Sequence, residues 1–337
     1  MVVRSETSSR PGELMEEQSS PVLAIIIPSY NEELVVIECA SQVSLLLNEL
    51  RKQGAIAESS FMAFIDDGSK DQTWAKIEEA GKGNRDVRGL RLSRNFGHQN
   101  ALMAGLEQFH ATCDITICID ADLQHDIQKI PEFIAKFRQG NDIVYGVKRN
   151  RSVDTQFKKM TAQAYYKILG MFGVNVIYNH ADFRLMSRKA VQALLMHREV
   201  NLFLRGMVPR LGLRSAIIEY DVKERFAGES KYSIVKMVGL AIDGITSFST
   251  TPLRIVSVLG MLTVLMSLAA TVETIYAYYA GDVVRGWSSV VISIFFLGGV
   301  QMLCLGIIGE YVAKIYIEIK ARPRYLVEDK YTSDRNE

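Results

Sequence analysis

Along the first two-thirds of the chain, short apolar runs alternate with longer stretches of mixed polarity. The runs Val22–Pro28, Phe61–Ile65, Val87–Leu92, Ile115–Ile119 and Ile143–Val147 have the length and composition of strands. Between them, stretches such as Glu32–Lys52 and Gln99–His110 predict helices. Strand and helix in alternation predict an α/β domain built on a mostly parallel sheet. Ligands of such sheets sit at the carboxyl ends of the strands, so the polar residues that follow each run are the ones to examine.

The C-terminal third has a different pattern. From Ile255 to Val272 the chain is uncharged and rich in Leu, Val, Ile and Met, and apolar character continues past Glu273 to Ala280. A second uncharged stretch runs from Trp287 to Gly309, about 35 Å at helical rise. Both are long enough to cross a bilayer, which predicts crossings over about 255–280 and 287–309. The connector Gly281–Gly286 is too short to be a domain, so the two form a hairpin, with Tyr276, Tyr278, Tyr279 and Trp287 in the far aromatic belt. Arg254 precedes the first crossing and Lys314, Lys320, Arg322 and Arg324 follow the second, which places both ends in the cytoplasm. Just upstream, Ile234, Val238, Ala241, Ile245 and Phe248 recur at steps of four and three. This pattern suits either a helix lying in the membrane interface or one packed on the soluble domain.

Composition narrows the function classes. The 337 residues are 48% hydrophobic and 23% charged, with 39 Lys and Arg against 38 Asp and Glu, a net charge of +1. Disorder and a chain-wide nucleic-acid-binding field are both excluded on that balance. Cys39, Cys113, Cys118 and Cys304 form no CxxC pair and read as reduced, structural thiols. Residues 1–20 carry Arg4, Arg10, Glu13, Glu16 and Glu17 with no apolar core, which predicts a disordered tail and no signal peptide.

Three strand ends carry candidate chemistry: Pro28-Ser29-Tyr30-Asn31-Glu32-Glu33, Asp66-Asp67-Gly68-Ser69 and Asp120-Ala121-Asp122-Leu123-Gln124. Carboxylates gathered at one sheet edge repel each other unless a divalent cation, a cationic ligand or hydrogen-bond donors compensate. On an extended chain an Asp-x-Asp spacing points both side chains to one face, so Asp120 and Asp122 suit one hard metal ion. Each motif alone is equally ordinary turn chemistry; their recurrence at successive strand ends is what makes the signal specific. No GxGxxG follows the first strand, which disfavours a dinucleotide-binding oxidoreductase. His98, His125 and His180 lie near these motifs without paired metal spacing and read as polar structure or modest substrate contacts.

The stretches IIIPSYNEE from Ile25, DDGSKDQT from Asp66, LSRNFGHQNAL from Leu92, DADLQHD from Asp120, DFRLMSR from Asp182 and RFAGESKYS from Arg225 resemble the family 2 glycosyltransferases of the GT-A fold. The branch they are most similar to is that of the polyprenyl-phosphate hexose synthases. The resemblance implies a GT-A (Rossmann-like) nucleotide-sugar-binding domain over 21–231, an interfacial amphipathic helix over 232–251, two transmembrane helices within 252–311 and a cytoplasmic tail over 312–337. It further implies that Pro28, Tyr30, Glu32 and Asp67 hold the base and ribose, with Asp120 and Ala121 also at the nucleotide sugar. Asp120, Asp122 and Gln124 would form the metal site, for Mg2+ or Mn2+. Arg149, Arg184, Arg225 and Ser230 would receive the acceptor phosphate, and Asp122, Asp182, Arg184 and Lys231 would act in catalysis.

The implied reaction is inverting, metal-dependent transfer of a hexose to a polyprenyl phosphate such as undecaprenyl phosphate, at the cytoplasmic face of a bacterial-type inner membrane. Glucose from UDP-glucose is the first choice of donor; GDP-mannose, UDP-GlcNAc or a UDP-amino-arabinose derivative would undergo the same chemistry. A lipid monophosphate has a second pKa near ~6 and is already a competent anion, so no general base is strictly needed. Asp182 would then serve either as a base or to orient Arg184 or a loop. A processive polysaccharide synthase is disfavoured because its Gln-x-x-Arg-Trp motif is missing: Trp74 and Trp287 follow Thr73 and Gly286. A non-catalytic membrane scaffold remains the non-enzyme alternative. Gly298, Gly299, Gly306 and Gly309 suit helix association, hence a homo-oligomer, and nothing points to a nucleic-acid partner.

Overall fold

In the computed structural model the five apolar runs become five strands of one mixed sheet. The structure describes residues 20–149, 167, 170–172, 177, 179–222, 244–247, 249–279 and 286–333. In chain order the elements are β1 (Leu23–Ser29), α1 (Val36–Lys52), β2 (Phe61–Asp66), α2 (Thr73–Gly81), β3 (Val87–Leu92), α3 (His98–Phe109), β4 (Ile115–Cys118), α4 (Ile130–Arg138) and β5 (Ile143–Lys148). They continue with β6 (His180–Ser187), α5 (Arg188–Leu195), α6 (Leu204–Arg210), β7 (Ser215–Tyr220), α7 (Thr251–Tyr279), α8 (Trp287–Ile319) and β8 (Val327–Thr332).

The strand order is β7-β5-β6-β4-β1-β2-β3-β8. Strands β3, β2, β1 and β4 are mutually parallel, whereas β6 runs antiparallel to both β4 and β5. Because β6 is reversed, its first residues run past the end of β4: Cys118 faces Arg184 across the ladder, and residues 180–183 lie beyond that pair. That reversal brings Asp182 to the same sheet edge as the loops after β1, β2 and β4.

Burial follows from helices covering both faces. Every residue of β1 and β2 is buried. One apolar cluster joins the sheet to α1, α2 and α4 through Val43, Leu47, Ile77 and Phe133, and the other joins it to α3, α5 and α6 through Leu102, Leu106, Val191 and Met207. Close approach on the second face requires a glycine. A Cβ at Gly105 of α3 would lie 2.6 Å from Cγ2 of Ile26 and 2.9 Å from Ile65.

The long helices α7 and α8 have 29 and 33 residues and contact each other. Their large apolar side chains face outward, including Met261, Leu265, Met266, Ile294, Met302 and Leu305. Within α8, Phe296–Ile319 is long and apolar enough to cross a membrane, and none of that stretch is buried inside the protein. The connector 281–285 and most of the segment 232–251, where the amphipathic pattern lies, are outside the described residues.

After α8 the chain returns to the sheet. Strand β8 pairs antiparallel with β3, Ser93 donates its N–H to the Leu326 carbonyl at 2.9 Å, and the Tyr331 ring fills the space over Gly81. The segment 312–337, read from sequence as a tail, therefore contains the end of α8 and an edge strand of the domain. Its alternating polar residues (VEDKYT) suit an exposed edge and give no core signal.

Overpacking a dense core costs about 1–3 kcal/mol. Gly105→Ala is therefore expected to lower the thermal unfolding midpoint of the soluble domain. An unchanged midpoint would contradict the helix-to-sheet spacing described above.

Candidate active site

The first three turns at the sheet edge are stitched together by backbone groups. Ser29 and Asp66 are register partners at the ends of β1 and β2. Asn31, in the left-handed region at φ 53°, donates its N–H to Ser69 Oγ at 2.9 Å and accepts the Lys70 N–H at 3.0 Å. Glu32 donates its N–H to Thr73 Oγ1 at 2.8 Å. Gly68 has φ 63°, and a Cβ there would lie 2.3 Å from the Arg94 carbonyl carbon, so only glycine lets the second turn pass under the third.

The two aspartates of the second turn are structural anchors as well as charges. Asp66 is fully buried, accepts the Ser69 N–H at 3.0 Å and lies 3.6 Å from Arg91 Nε. Asp67 accepts the N–H groups of Phe96 at 2.7 Å and Gly97 at 2.9 Å, which fixes the approach to α3. Burial raises both carboxyls above their ordinary range, and the hydrogen bonds offset part of that. Pro28 is buried beside Ile65, while Tyr30 and Glu32 are half-buried at the same edge.

Asp120 and Asp122 lie beyond the end of β4, in a turn and not on an extended strand. The two-residue alternation expected for them does not apply. Instead Asp122 Oδ1 accepts the Gln124 N–H at 3.1 Å, closing an Asx-type turn in which Leu123 has φ 58°. His125 holds Asp120 twice: Nδ1 accepts the Asp120 N–H at 3.1 Å and Nε2 is 3.5 Å from Asp120 Oδ2. The His125 ring is buried, stacks on Phe183 at 5.0 Å and meets Tyr220 edge-on at 5.8 Å. Burial lowers its pKa, so it is neutral, and accepting at Nδ1 places its proton on Nε2, toward the carboxylate. Ala121 is buried and Gln124 half-buried in this turn.

Asp182 collects positive charge from three elements. Arg184 of β6 donates from Nη2 at 3.3 Å, Arg205 of α6 donates from Nη2 at 3.2 Å, and His98 Nε2 at the start of α3 is 3.6 Å away. His98 also lies 3.8 Å from Asp120, joining the two acidic sites. Burial alone would raise the Asp182 pKa, but Arg205, His98 and Arg184 outweigh it and hold the carboxyl well below its usual range. For His98, desolvation would lower the pKa, yet the Asp182 and Asp120 carboxylates lift it to about 8.

Arg184 is 0% exposed, and its Nε and Nη1 have no hydrogen-bond partner. The structure thus places its guanidinium inside the protein, against Asp182. Arg205, 32% exposed at its side chain, is the arginine of this cluster that reaches the surface. Arg149 lies beyond β5 at the same edge but in an exposed pair with Glu219 at 3.2 Å. Arg225, Ser230 and Lys231 are outside the described residues. His98 and His125 lie within LSRNFGHQNAL and DADLQHD and read from sequence only as polar structure or modest substrate contacts; Arg205 lies in none of those motifs, and its bond to Asp182 joins residues 23 positions apart.

Among the described residues no three His, Cys, Asp or Glu side chains gather closely enough to cage a metal. A pair of carboxylates in a turn fits a hard cation that completes its shell with substrate phosphate and water, as Mg2+ commonly does. The donor set at Asp120 and Asp122 is compatible with that use.

Removing one partner of a buried ion pair typically costs about 3–5 kcal/mol. Asp182→Asn, which leaves Arg184 without its counter-charge, is expected to destabilise the fold by that order at pH 7. A carboxyl with a depressed folded pKa contributes its stability above its unfolded pKa and loses it as pH falls toward the folded value. The difference between wild type and Asp182→Asn should therefore shrink below about pH 4. Denaturant titrations at pH 7 and pH 3 check this; equal stability at pH 7 would contradict it.

Comparison with known proteins gives the chain a family. Residues 24–195 match the model of the family "Glycosyl transferase family 2". A Bacillus subtilis (strain 168) protein named "Uncharacterized glycosyltransferase YkoT" is 46% identical over 312 residues, covering 93% of each chain. The "Prophage bactoprenol glucosyl transferase homolog" of Escherichia coli (strain K12) is 37% identical over 315 residues, covering 91% of this chain and 98% of its own. The "Bactoprenol glucosyl transferase" of Shigella phage SfX is 38% identical over 311 residues, covering 91% and 99%. Among solved structures, glucosyl-3-phosphoglycerate synthase from Mycobacterium tuberculosis is similar at a TM-score of 0.45 and 18% identity, covering 71% of this chain and 84% of its own. The family match and the near full-length relatives together show that this chain belongs to glycosyltransferase family 2 and is a glycosyltransferase.

Proposed function

We propose that the chain transfers a hexose from a nucleotide sugar, UDP-glucose in the first instance, to a polyprenyl phosphate of the undecaprenyl type at the cytoplasmic face of a membrane. The observation that carries this reading is the convergence of the turns after β1, β2 and β4 with the Asp182–Arg205–His98 cluster at one sheet edge. Relatives named for glucosyl transfer to bactoprenol, at 37–38% identity over more than nine-tenths of the chain, support the acceptor class. The outward-facing apolar side chains of α7 and α8 support a membrane hairpin, because exposed surface of that extent is costly in water. A polyprenyl tail stays in the bilayer at about 0.8 kcal/mol per buried CH₂, so the active site has to come to the lipid.

In this reading Pro28, Tyr30, Glu32 and Asp67 frame the nucleoside, and Asp120, Asp122 and Gln124 face the diphosphate. Mg2+ or Mn2+ at Asp120 and Asp122 supplies charge neutralisation for the departing nucleoside diphosphate. His125 keeps Asp120 in place through its two contacts. Arg205, half-buried and bonded to Asp182, is the guanidinium at the rim of this cluster for an incoming phosphate, and planar, bidentate donors suit that ligand. Arg149, Arg225, Ser230 and Lys231 are assigned to the acceptor phosphate and Lys231 to catalysis on their sequence motifs alone.

The geometry also bears on the two roles open for Asp182. A carboxylate held well below its usual pKa by Arg205, His98 and Arg184 is a poor proton acceptor near neutral pH. Its role is to orient Arg205 and His98, with Arg184 as the buried counter-charge behind it. The acceptor phosphate, an anion above a second pKa of about 6, needs no base. Direct attack on the anomeric carbon as the diphosphate leaves gives inversion in a single displacement.

The test is transfer of labelled sugar from a panel of UDP- and GDP-sugars to undecaprenyl phosphate, with and without EDTA. Transfer from UDP-glucose that EDTA abolishes is the expected result. Preference for another donor would replace glucose while keeping the chemistry. Nucleotide-sugar binding without transfer from any donor would overturn the enzymatic reading.

A further inference from the structure

A cavity of about 1190 Å³ opens where the cytoplasmic end of α8 meets the loop between α5 and α6. It is separate from the sheet edge that carries Asp120, Asp122 and Asp182. Its basic lining comes from Arg198 on the loop, Lys314 on α8, and Arg322 and Arg324 in the turn after α8. The carboxylates that share it are Glu107, Glu199 and Glu318. Two of the three are committed. Glu318 accepts the Val200 N–H and the Asn201 N–H at 2.9 Å, and Glu107 accepts the Tyr325 hydroxyl.

The arginines keep donor capacity, since a guanidinium has five donors. Arg324 gives one to the His197 carbonyl, and Lys314 is already bonded to Ser247 Oγ at 3.3 Å. Arg198 and Arg322 are exposed. Electrostatically the cavity is a site for an anion.

Its depth says which kind. The uncharged stretch of α8 ends at Gly309, and Lys314 lies five residues further along the same helix, about 7 Å at helical rise. The headgroup layer on one side of a bilayer is roughly 5–7 Å thick beyond the hydrocarbon. With the uncharged part of α8, up to Gly309, as the part across the membrane, Lys314 sits at headgroup depth, Tyr311 just above the hydrocarbon and Arg322 and Arg324 on the aqueous side.

We propose that this cavity binds the phosphate headgroup of an anionic membrane phospholipid, with Arg198, Lys314, Arg322 and Arg324 as its contacts. The inference rests on the membrane reading of α8 given above, though not on the transfer reaction. The site is also placed to affect that reaction. The loop that forms its wall is clamped to α8 by Glu318 and runs on into α6, where the Leu204 N–H bonds Gln99 Oε1 at 2.9 Å and Arg205 bonds Asp182. Lipid held against Arg198 steadies the segment that carries Arg205.

The experiment reconstitutes the full chain in nanodiscs of phosphatidylcholine with phosphatidylglycerol and counts retained lipids by native mass spectrometry during stepwise delipidation. Wild type is compared with Arg198→Ala/Arg322→Ala, and UDP binding reports that the variant is folded. Wild type should keep phosphatidylglycerol after phosphatidylcholine is stripped. Retention should fall by about fivefold for each arginine removed, with UDP binding unchanged. Equal retention of the two lipids, or equal retention by wild type and variant, would overturn the proposal. Displacement of the retained phosphatidylglycerol by added undecaprenyl phosphate would also overturn it, since the cavity would then belong to the acceptor. Failure of the chain to enter the discs would overturn it together with the membrane reading, whereas loss of sugar transfer alone leaves the lipid count as the deciding result.

Discussion

Arg184 carries a positive charge into the interior of the sheet, and Asp182, 3.3 Å away, is what compensates it there. Desolvating either group alone is expensive, so the pair forms only if both are held in place. The holding is done by topology. Because β6 runs against β4, residue 184 lies opposite Cys118 and residue 182 emerges at the edge where β4 ends. From that position Asp182 recruits Arg205 from α6 and His98 from α3, and His98 reaches Asp120. The acidic turns and the basic residues at the active edge are thus one electrostatic unit, assembled around a buried pair.

That unit explains a division of labour among the carboxylates. Asp66 and Asp67 are raised by burial and shape the turns: both oxygens of Asp67 and Oδ1 of Asp66 accept backbone N–H groups, while Asp66 Oδ2 faces Arg91. Asp182 is held as an anion among cations and orients them. Asp120 and Asp122 stand at a turn closed by their own neighbours, the arrangement suited to a cation shared with a diphosphate. Repulsion among so many acids is relieved locally, with His98 shared between Asp120 and Asp182.

Much of the fold was legible in the chain. The runs that begin at Val22, Phe61, Val87, Ile115 and Ile143 became β1 to β5 with shifts of a residue at their ends, because continuous apolar character over that length is a strong strand signal. Strand β8 was not legible, since VEDKYT is an exposed edge with no apolar face, and its place beside β3 depends on contacts with residues 240 positions away. The reversed β6 was equally hidden, as its motif DFRLMSR marks chemistry and not direction. In the site, Asp67, Asp120, Asp122 and Asp182 announced themselves through motifs. Arg205 did not, because a lone arginine resembles any surface residue until the fold supplies its partner; His125 lies within DADLQHD, but its hold on Asp120 shows only in the fold. The burial of Arg184 was not legible either, since an arginine is so rarely buried that sequence alone gives no reason to place it inside the protein.

The account stands on the claim that Asp122 and its turn hold the nucleotide diphosphate through a divalent cation. Titration of UDP into the purified chain with and without Mn2+, for wild type and for Asp122→Asn, tests this directly. Affinity that rises with Mn2+ in wild type and loses that dependence in Asp122→Asn is the result the account predicts. Equal affinity in all four titrations would contradict it and move the nucleotide away from this edge of the sheet.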